Sequence, residues 1–339
     1  MKETTDFAKG ITRFLSEYLP HERNVSKNTI SSYRDTFLLF LRFMKDKKSV
    51  SVNKLKLSDL TRDNILDFLK WTMEERHCGA ATRNYRLAAM HAFVRYLQYQ
   101  EIGLMEEWQK ILLIRALKTK PKVLNYLTPE GTKLLLKQPD TSTSTGRRHL
   151  AMLSLMYDTG ARVQEIADLT VSSLRIASKP YTLRIIGKGN KARIVPLMDN
   201  QVEILRSYLE ENRLTEQSFL QHPLFPNRKG HKITRYGIGY ILETYIELAR
   251  KENPELIPDT FSPHGLRHSR AMALLQAGVH IVNVRDLLGH ASIQTTDIYA
   301  RADSKAKREA LEKAYENLTP KTDREWEKDK GLLDWLKDL

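Results

Sequence analysis

From Phe7 to Leu97 the apolar residues recur at three- and four-residue intervals, and nowhere in that span do they alternate with the period of two that a strand requires. Residues 6–19 set Phe7, Ile11, Phe14, Leu15 and Tyr18 on one stripe; residues 28–43, with Met44 just beyond, repeat the pattern in Ile30, Tyr33, Phe37, Leu38 and Leu41. Residues 60–71, entered through Thr61, align Ile65, Phe68 and Leu69, and residues 80–99 align Tyr85, Leu87, Met90, Phe93, Val94 and Leu97. A helix with one apolar stripe has to bury it against other helices. This part of the chain is therefore expected to fold as an all-helical bundle.

The pattern breaks at residues 115–127, RALKTKPKVLNYL, which hold lysines and a proline but no helical stripe. They read as an exposed basic linker. Thr128-Pro129-Glu130 then opens a new helix, with the threonine as cap and the proline in the first position. The expected organisation is a helical domain over residues 1–118, a linker over 119–127, a second domain over 128–318 and a tail over 319–339. The second domain is mixed: helical signals cover 149–158, 161–169, 201–211, 237–251, 263–277 and 282–288, while 181–186 and 192–197 read as a hairpin with a Lys-Gly-Asn tip. The TSTSTG run at 141–146 reads as a mobile loop. The fold class that follows is mainly α with a small β-sheet (α+β).

Charge narrows the partners. The 339 residues carry 55 Lys+Arg against 41 Asp+Glu, a formal net charge of +14 spread over both expected domains. Such a chain favours a polyanion, because Lys and Arg neutralise phosphates and release their counterions. Helix faces expected to be exposed present Lys27, Arg34, Arg42, Arg83, Arg86 and Arg95; the linker adds Lys118 and Lys120, and the hairpin adds Lys191 and Arg193. Each could be a solvated surface charge; as a set they are candidate phosphate contacts. No apolar run approaches the roughly 18 residues of a membrane span, and the start lacks a signal-peptide core, so a cytoplasmic protein is expected. The single cysteine, Cys78, permits no internal disulfide and no cysteine-rich zinc site.

Five short segments carry chemistry. In Thr159-Gly160-Ala161-Arg162-Val163-Gln164-Glu165 a glycine turn sets Arg162 at a helix start, where backbone N–H groups already favour an anion. In Gly187-Lys188-Gly189-Asn190 the glycines put Lys188 on a flexible tip from which it could donate a proton. In Ser262-Pro263-His264-Gly265-Leu266-Arg267-His268 a helix start puts His264 and Arg267 on one face. His264 and His268, four apart, also raise zinc, but a zincin needs glutamate where Gly265 stands, and no third ligand is evident. Gly289 ends a helix and exposes His290, and Thr295-Thr296-Asp297-Ile298-Tyr299 follows. A free phenol is a poor nucleophile near neutral pH unless cations and hydrogen-bond donors stabilise its phenolate. Converging cationic donors with one nucleophile, without a carboxylate pair or a nucleotide loop, suit metal-free transfer at a phosphodiester.

The series GARVQEI, IIGKGNKARIVPL, HGLRH and LGHASIQTTDIY resembles the tyrosine recombinase (phage integrase, Xer-type) family over residues 128–318, and NTISSYRDTFLLFLRF resembles that family's core-binding domain. The resemblance implies that Arg162 and Arg267 bracket a scissile phosphate, that His264 handles a proton and that His290 hydrogen-bonds a nonbridging oxygen. It implies Lys188 as general acid for the leaving 5′-hydroxyl, Tyr299 as the nucleophile that forms a 3′-phosphotyrosine, and Glu165 as a supporting residue. It further implies double-stranded DNA with inverted-repeat core sites as partner, and no ATP, metal or other cofactor. Strands would be exchanged through a Holliday junction by a homotetramer on two duplexes, monomeric or dimeric off DNA.

Three readings remain open at this stage. One is a site-specific recombinase, for a mobile element or, alternatively, for Xer-type dimer resolution. The second is a type IB topoisomerase, and the third a catalytically silent DNA-binding accessory protein. The start on the core-binding pattern suggests that no arm-binding domain precedes it. Residues 306–318 read as a helix, which the resemblance implies packs on a neighbouring protomer, and GLLDWLKDL at the end, with Trp335, reads as a short apolar helix docking in trans or in cis.

Overall fold

The computed structural model describes residues 4–119, 124–290, 292, 296, 298, 299, 331, 334 and 337, with Lys188 described in its backbone alone. The chain separates into two compact units, Met1–Lys122 and Val123–Leu339, each with its own hydrophobic core.

The first unit contains α1 (Asp6–Arg13), α2 (Lys27–Lys48), α3 (Arg62–Glu74), α4 (Ala80–Leu97) and α5 (Met105–Leu112). Thr5, Ser26 and Thr61 cap α1, α2 and α3 by accepting backbone N–H groups with their hydroxyls. From Phe14 to Glu22 the first helix widens into a π-helix that contains Pro20. Proline removes a donor and crowds the carbonyl four residues back, and the wider turn accommodates that loss. The core is aromatic. Phe14 lies 5.2 Å from Phe93, which meets Phe37 edge-on at 5.1 Å, while Phe40 meets Phe68 edge-on at 5.4 Å.

The second unit contains α6 (Pro129–Lys137), α7 (Ser144–Thr159), α8 (Val163–Asp168), β1 (Leu174–Arg175), β2 (Thr182–Ile186), β3 (Ala192–Pro196), α9 (Asp199–Glu211), α10 (Arg235–Glu252), α11 (Pro263–Gln276) and α12 (Ile281–Leu288). The sheet is antiparallel in the order β1-β2-β3, with Thr182 opposite Pro196 and Ile186 opposite Ala192. Leu183, Ile185 and Val195 are buried and belong to the same core as Met152, Leu153, Leu155 and Met156 of α7. The fold is thus mainly helical with a small sheet. The two-residue β1 escaped the sequence reading because so short a strand has no period to detect.

Two sequence expectations fail here. The exposed linker expected over 119–127 does not extend to its end. Leu127 is buried and its N–H donates to Ser269 Oγ at 2.8 Å, while Leu124 and Tyr126 pack into a small cluster with Met272, Leu288 and Tyr299. The partners lie far along the chain, so no local pattern marks them. Nor is TSTSTG a mobile loop: Thr143 caps α7 and Gly146 is buried so close to the Asp140 carbonyl that a Cβ would stand 1.8 Å from it. Lys120, the 306–318 helix and the apolar face with Trp335 lie outside the described residues.

Candidate active site

Arg162 follows the turn that ends α7. Gly160, at φ +56°, closes that helix in the left-handed region, and a Cβ there would meet Leu288 at 2.5 Å. Arg162 is then the N-cap of α8, and its backbone N–H donates to Glu165 Oε2 at 2.8 Å while its Nη1 donates to Glu165 Oε1 at 2.8 Å. Glu165 is 5% exposed and receives a second guanidinium: Arg193, from β3, donates Nη2 to Oε2 at 2.7 Å and Nη1 to Oε1 at 3.1 Å. Burial alone would raise the Glu165 carboxyl, but the hydrogen bonds from Arg193 and Arg162 outweigh it and hold the group below its ordinary value. Arg193 Nε donates to the Leu287 carbonyl at 2.9 Å, so this pair also ties β3 to the end of α12.

Arg267 is 3% exposed. Its Nη1 donates to the Gly160 carbonyl at 2.7 Å and its Nη2 to the Leu288 carbonyl at 2.6 Å, which joins the C-terminal ends of α7 and α12. Helix C-termini carry partial negative charge, and that favours a cation buried there. Burial, and then repulsion from Arg162, lower Arg267 to about 10. His264, in the first turn of α11, is held below the ordinary imidazole range by partial burial of its ring and by the charges of Arg267 and Arg162. His290 follows Gly289, which ends α12 at φ +65°. Its Nδ1 lies 2.8 Å from Thr296 Oγ1, and burial followed by the charges of Arg267, Arg162 and Arg193 lowers it to about 4.

Tyr299 is 1% exposed. Its ring stacks on His290 at 6.3 Å with planes 11° apart and lies 5.5 Å from the His268 ring. Its hydroxyl is 2.9 Å from His268 Nδ1. Burial raises the phenol above its ordinary value, while Arg267 and Arg162 pull it back. Arg162, Glu165, His264, Arg267, His290 and Tyr299 therefore come together, from four separated stretches of chain. The Lys188 backbone sits in the short turn of the β2–β3 hairpin, where Gly189 has φ +75°; its side chain lies outside the described atoms. Among the described residues no group of three or more His, Cys, Asp or Glu is placed to hold a metal ion.

His268 belongs to this site, although the sequence presents it only as a possible zinc partner of His264. The signal was its place four residues after His264, on the same face of α11. Other candidates divide. Lys27, Arg42, Arg95, Lys118 and Lys191 are exposed, and exposed Arg34 pairs with Asp35 at 2.9 Å. Arg193, whose side chain is 11% exposed, is corrected from a candidate DNA contact to the partner of Glu165. Arg83 is likewise not on an exposed face: it is buried and donates to the Arg115 carbonyl at 3.0 Å and to Asn84 Oδ1 at 3.3 Å. Arg86 is half-buried and donates to Thr36 Oγ1 at 2.9 Å. In each case a carbonyl, carboxylate or hydroxyl remote in sequence captures the guanidinium.

Residues 125–306 match the model of the phage integrase family, and residues 11–101 match that of the phage integrase N-terminal SAM-like domain. With these matches the chain belongs to the phage integrase family, the tyrosine recombinases, whose members cleave and join DNA strands. It is 33% identical over 313 residues, 92% of this chain and 93% of the relative, to "Putative integrase/recombinase y4rC" of Sinorhizobium fredii (strain NBRC 101917 / NGR234). It is 32% identical over 284 residues, 83% of this chain and 90% of the relative, to tyrosine recombinase XerD of Listeria monocytogenes serotype 4b (strain F2365). Among solved structures it is similar to the XerH site-specific recombinase in a post-cleavage complex with palindromic difH substrate, at a TM-score of 0.67 and 25% identity over 85% of this chain and 80% of that one. The Tn1549 transposon integrase bound to transposon right end DNA shares the fold, at a TM-score of 0.65 and 16% identity over 89% of this chain and 98% of that one. No described helix is long and apolar enough to cross a membrane.

Proposed function

We propose that the chain is a site-specific recombinase of a mobile element, which cleaves and rejoins double-stranded DNA at inverted-repeat core sites through a 3′-phosphotyrosine on Tyr299. Arg162 and Arg267 bracket the scissile phosphate. His290 uses its hydroxyl-bonded Nδ1 as acceptor and leaves Nε2 to donate to a nonbridging oxygen. His264 assists proton handling, Lys188 protonates the leaving 5′ oxygen, and Glu165 orients Arg162. The phosphotyrosine conserves the energy of the broken ester, so a 5′-hydroxyl from a partner strand reverses the step and completes exchange. Four protomers on two duplexes act in pairs through a Holliday junction in the nucleoid, and exposed basic residues such as Lys27, Lys118 and Lys191 contact the backbone.

The observation that carries this reading is the convergence of two guanidiniums and two imidazoles around one buried phenol. Donors preorganised for a developing negative charge act most strongly where water is excluded. The integrase name of the Sinorhizobium relative and the transposon integrase among the fold neighbours support the mobile-element role. Xer-type dimer resolution is the second reading, favoured by the likeness to XerD. The chemical test is a nicked suicide duplex built on a sequence that the wild-type chain selects from a random pool. The wild type forms a covalent adduct on it, and Tyr299→Phe abolishes the adduct while still binding. Relaxation of plasmids that lack the selected site would instead mark a topoisomerase. Inverted repeats flanking the gene that compete for the selected sequence decide for the mobile element; their absence decides for dimer resolution.

A further inference from the structure

A buried phenol that must attack phosphorus needs a destination for its proton within hydrogen-bond reach of its hydroxyl. The site offers an acceptor. His268 Nδ1 lies 2.9 Å from the Tyr299 hydroxyl, and the two rings are 5.5 Å apart. With His268 in the tautomer that carries its proton on Nε2, Nδ1 is an acceptor and the Tyr299 hydroxyl donates to it. His268 sits one residue after Arg267 and one helical turn after His264, on the rigid α11 rather than on a loop. Its placement therefore repeats with the helix and needs no separate adjustment.

We propose that His268 is a catalytic residue that accepts the Tyr299 proton as the phenol attacks. In the step, the Tyr299 Oη–H bond breaks and the proton passes to His268 Nδ1, giving an imidazolium. The Oη–P bond forms, the P–O5′ bond breaks, and the 5′ oxygen takes a proton from the leaving-group side of the site. In the free chain His268 is neutral, lowered to about 4 by burial and by the charges of His264 and Arg267. A bound phosphodiester sets a negative charge against Arg267, relieves part of that repulsion and makes the imidazole a better acceptor. Proton uptake is thereby linked to the presence of substrate. The inference rests on the recombinase reading and adds a residue to it.

The test uses the full chain and the nicked suicide duplex selected by the wild type. His268→Leu and His268→Asn are compared at saturating duplex, and the Asn side chain can accept a hydrogen bond but not a proton. Both variants bind the duplex normally and form adduct at least ~10²-fold more slowly at neutral pH, the usual scale of a lost proton acceptor. The rate of His268→Asn then climbs with alkaline pH as solution hydroxide takes over the proton, while wild type stays nearly flat. The charged groups that face this pair are His264 and Arg267 on α11, Arg162 and Glu165 around α8, Arg193 on β3, and His290, and they are the same in both proteins. A residue with a merely structural role would be rescued by asparagine and would show no alkaline recovery, and that result overturns the proposal. So does restoration of the His268→Asn rate by a duplex with sulfur as the bridging 5′ atom, since a thiolate leaves without a proton and the defect would then lie on the other side. If wild type forms no adduct, the recombinase reading fails and this inference with it; if only the variants match wild type, this inference fails alone.

Discussion

The two units spend their buried volume differently. In the first, the largest buried groups are Phe14, Phe40, Phe68, Phe93 and Trp108, and they meet each other through ring contacts. In the second, an aliphatic core surrounds a layer of buried polar groups: Arg267 at 3%, Glu165 at 5% and Tyr299 at 1% exposure. Apolar packing, even where ring edges meet ring faces, tolerates exchange between groups of similar volume. A buried charge survives only with its partner in place. The first core therefore depends on shape, and the second depends on the identity of individual atoms.

That difference can be broken by a pair of substitutions, one that keeps shape and removes a charge and one that keeps apolar character and removes volume. Glu165→Gln alters no shape but removes the charge shared by Arg162 and Arg193, the latter with a side chain only 11% exposed. It should cost about 3 kcal/mol, the scale of an uncompensated buried ion, and raise hydrogen exchange across α8 and the end of α12. Phe93→Leu in the first unit keeps an apolar side chain of lesser volume against Phe14 and Phe37. It should cost only about 1–1.5 kcal/mol, read as faster exchange confined to α1, α2 and α4. Equal costs would show that the charged layer is no more demanding than the aromatic one.

The same contrast decides what the sequence could reveal. Helical periodicity located α2, α3 and α4 because Phe37, Ile65 and Phe93 recur at intervals that local geometry dictates. It missed the widening at Phe14 and the existence of α5, whose apolar residues, Trp108 and Ile111, give too short a stripe. In the second unit Arg162, Arg267, His290 and Tyr299 were legible as motifs. The roles of Arg193 and Arg83 were not, because Glu165 and the Arg115 carbonyl, which capture them, lie 28 and 32 residues away. His268 was visible as a residue and invisible as a partner of Tyr299, since 31 residues and a turn of fold separate them.

The finest discrimination between the units lies in their histidines. His268 and His290 are each lowered to about 4, in both cases first by burial, whereas unfolded imidazoles titrate near the usual 6.5. Between those values the unfolded chain binds more protons than the folded one, so protonation favours unfolding. Their contribution is fully present above about pH 6.5 and is lost as pH falls toward 4. Asp158, raised by burial, works in the opposite sense, and Glu165, lowered, loses its contribution only in the carboxylate range below its ordinary 4.5. In the window from pH 6.5 to 5 the lowered imidazoles act together, and the raised Asp158 opposes them. Exchange protection of α11 should fall through that window in wild type and fall less in His268→Asn combined with His290→Asn. The first unit holds one such group, His91, lowered by burial while its bond to the Ile111 carbonyl pulls the other way. Protection of α4 should accordingly change less than that of α11; a slope as steep as that of α11 would mean that the polar layer does not set the pH response of the second unit.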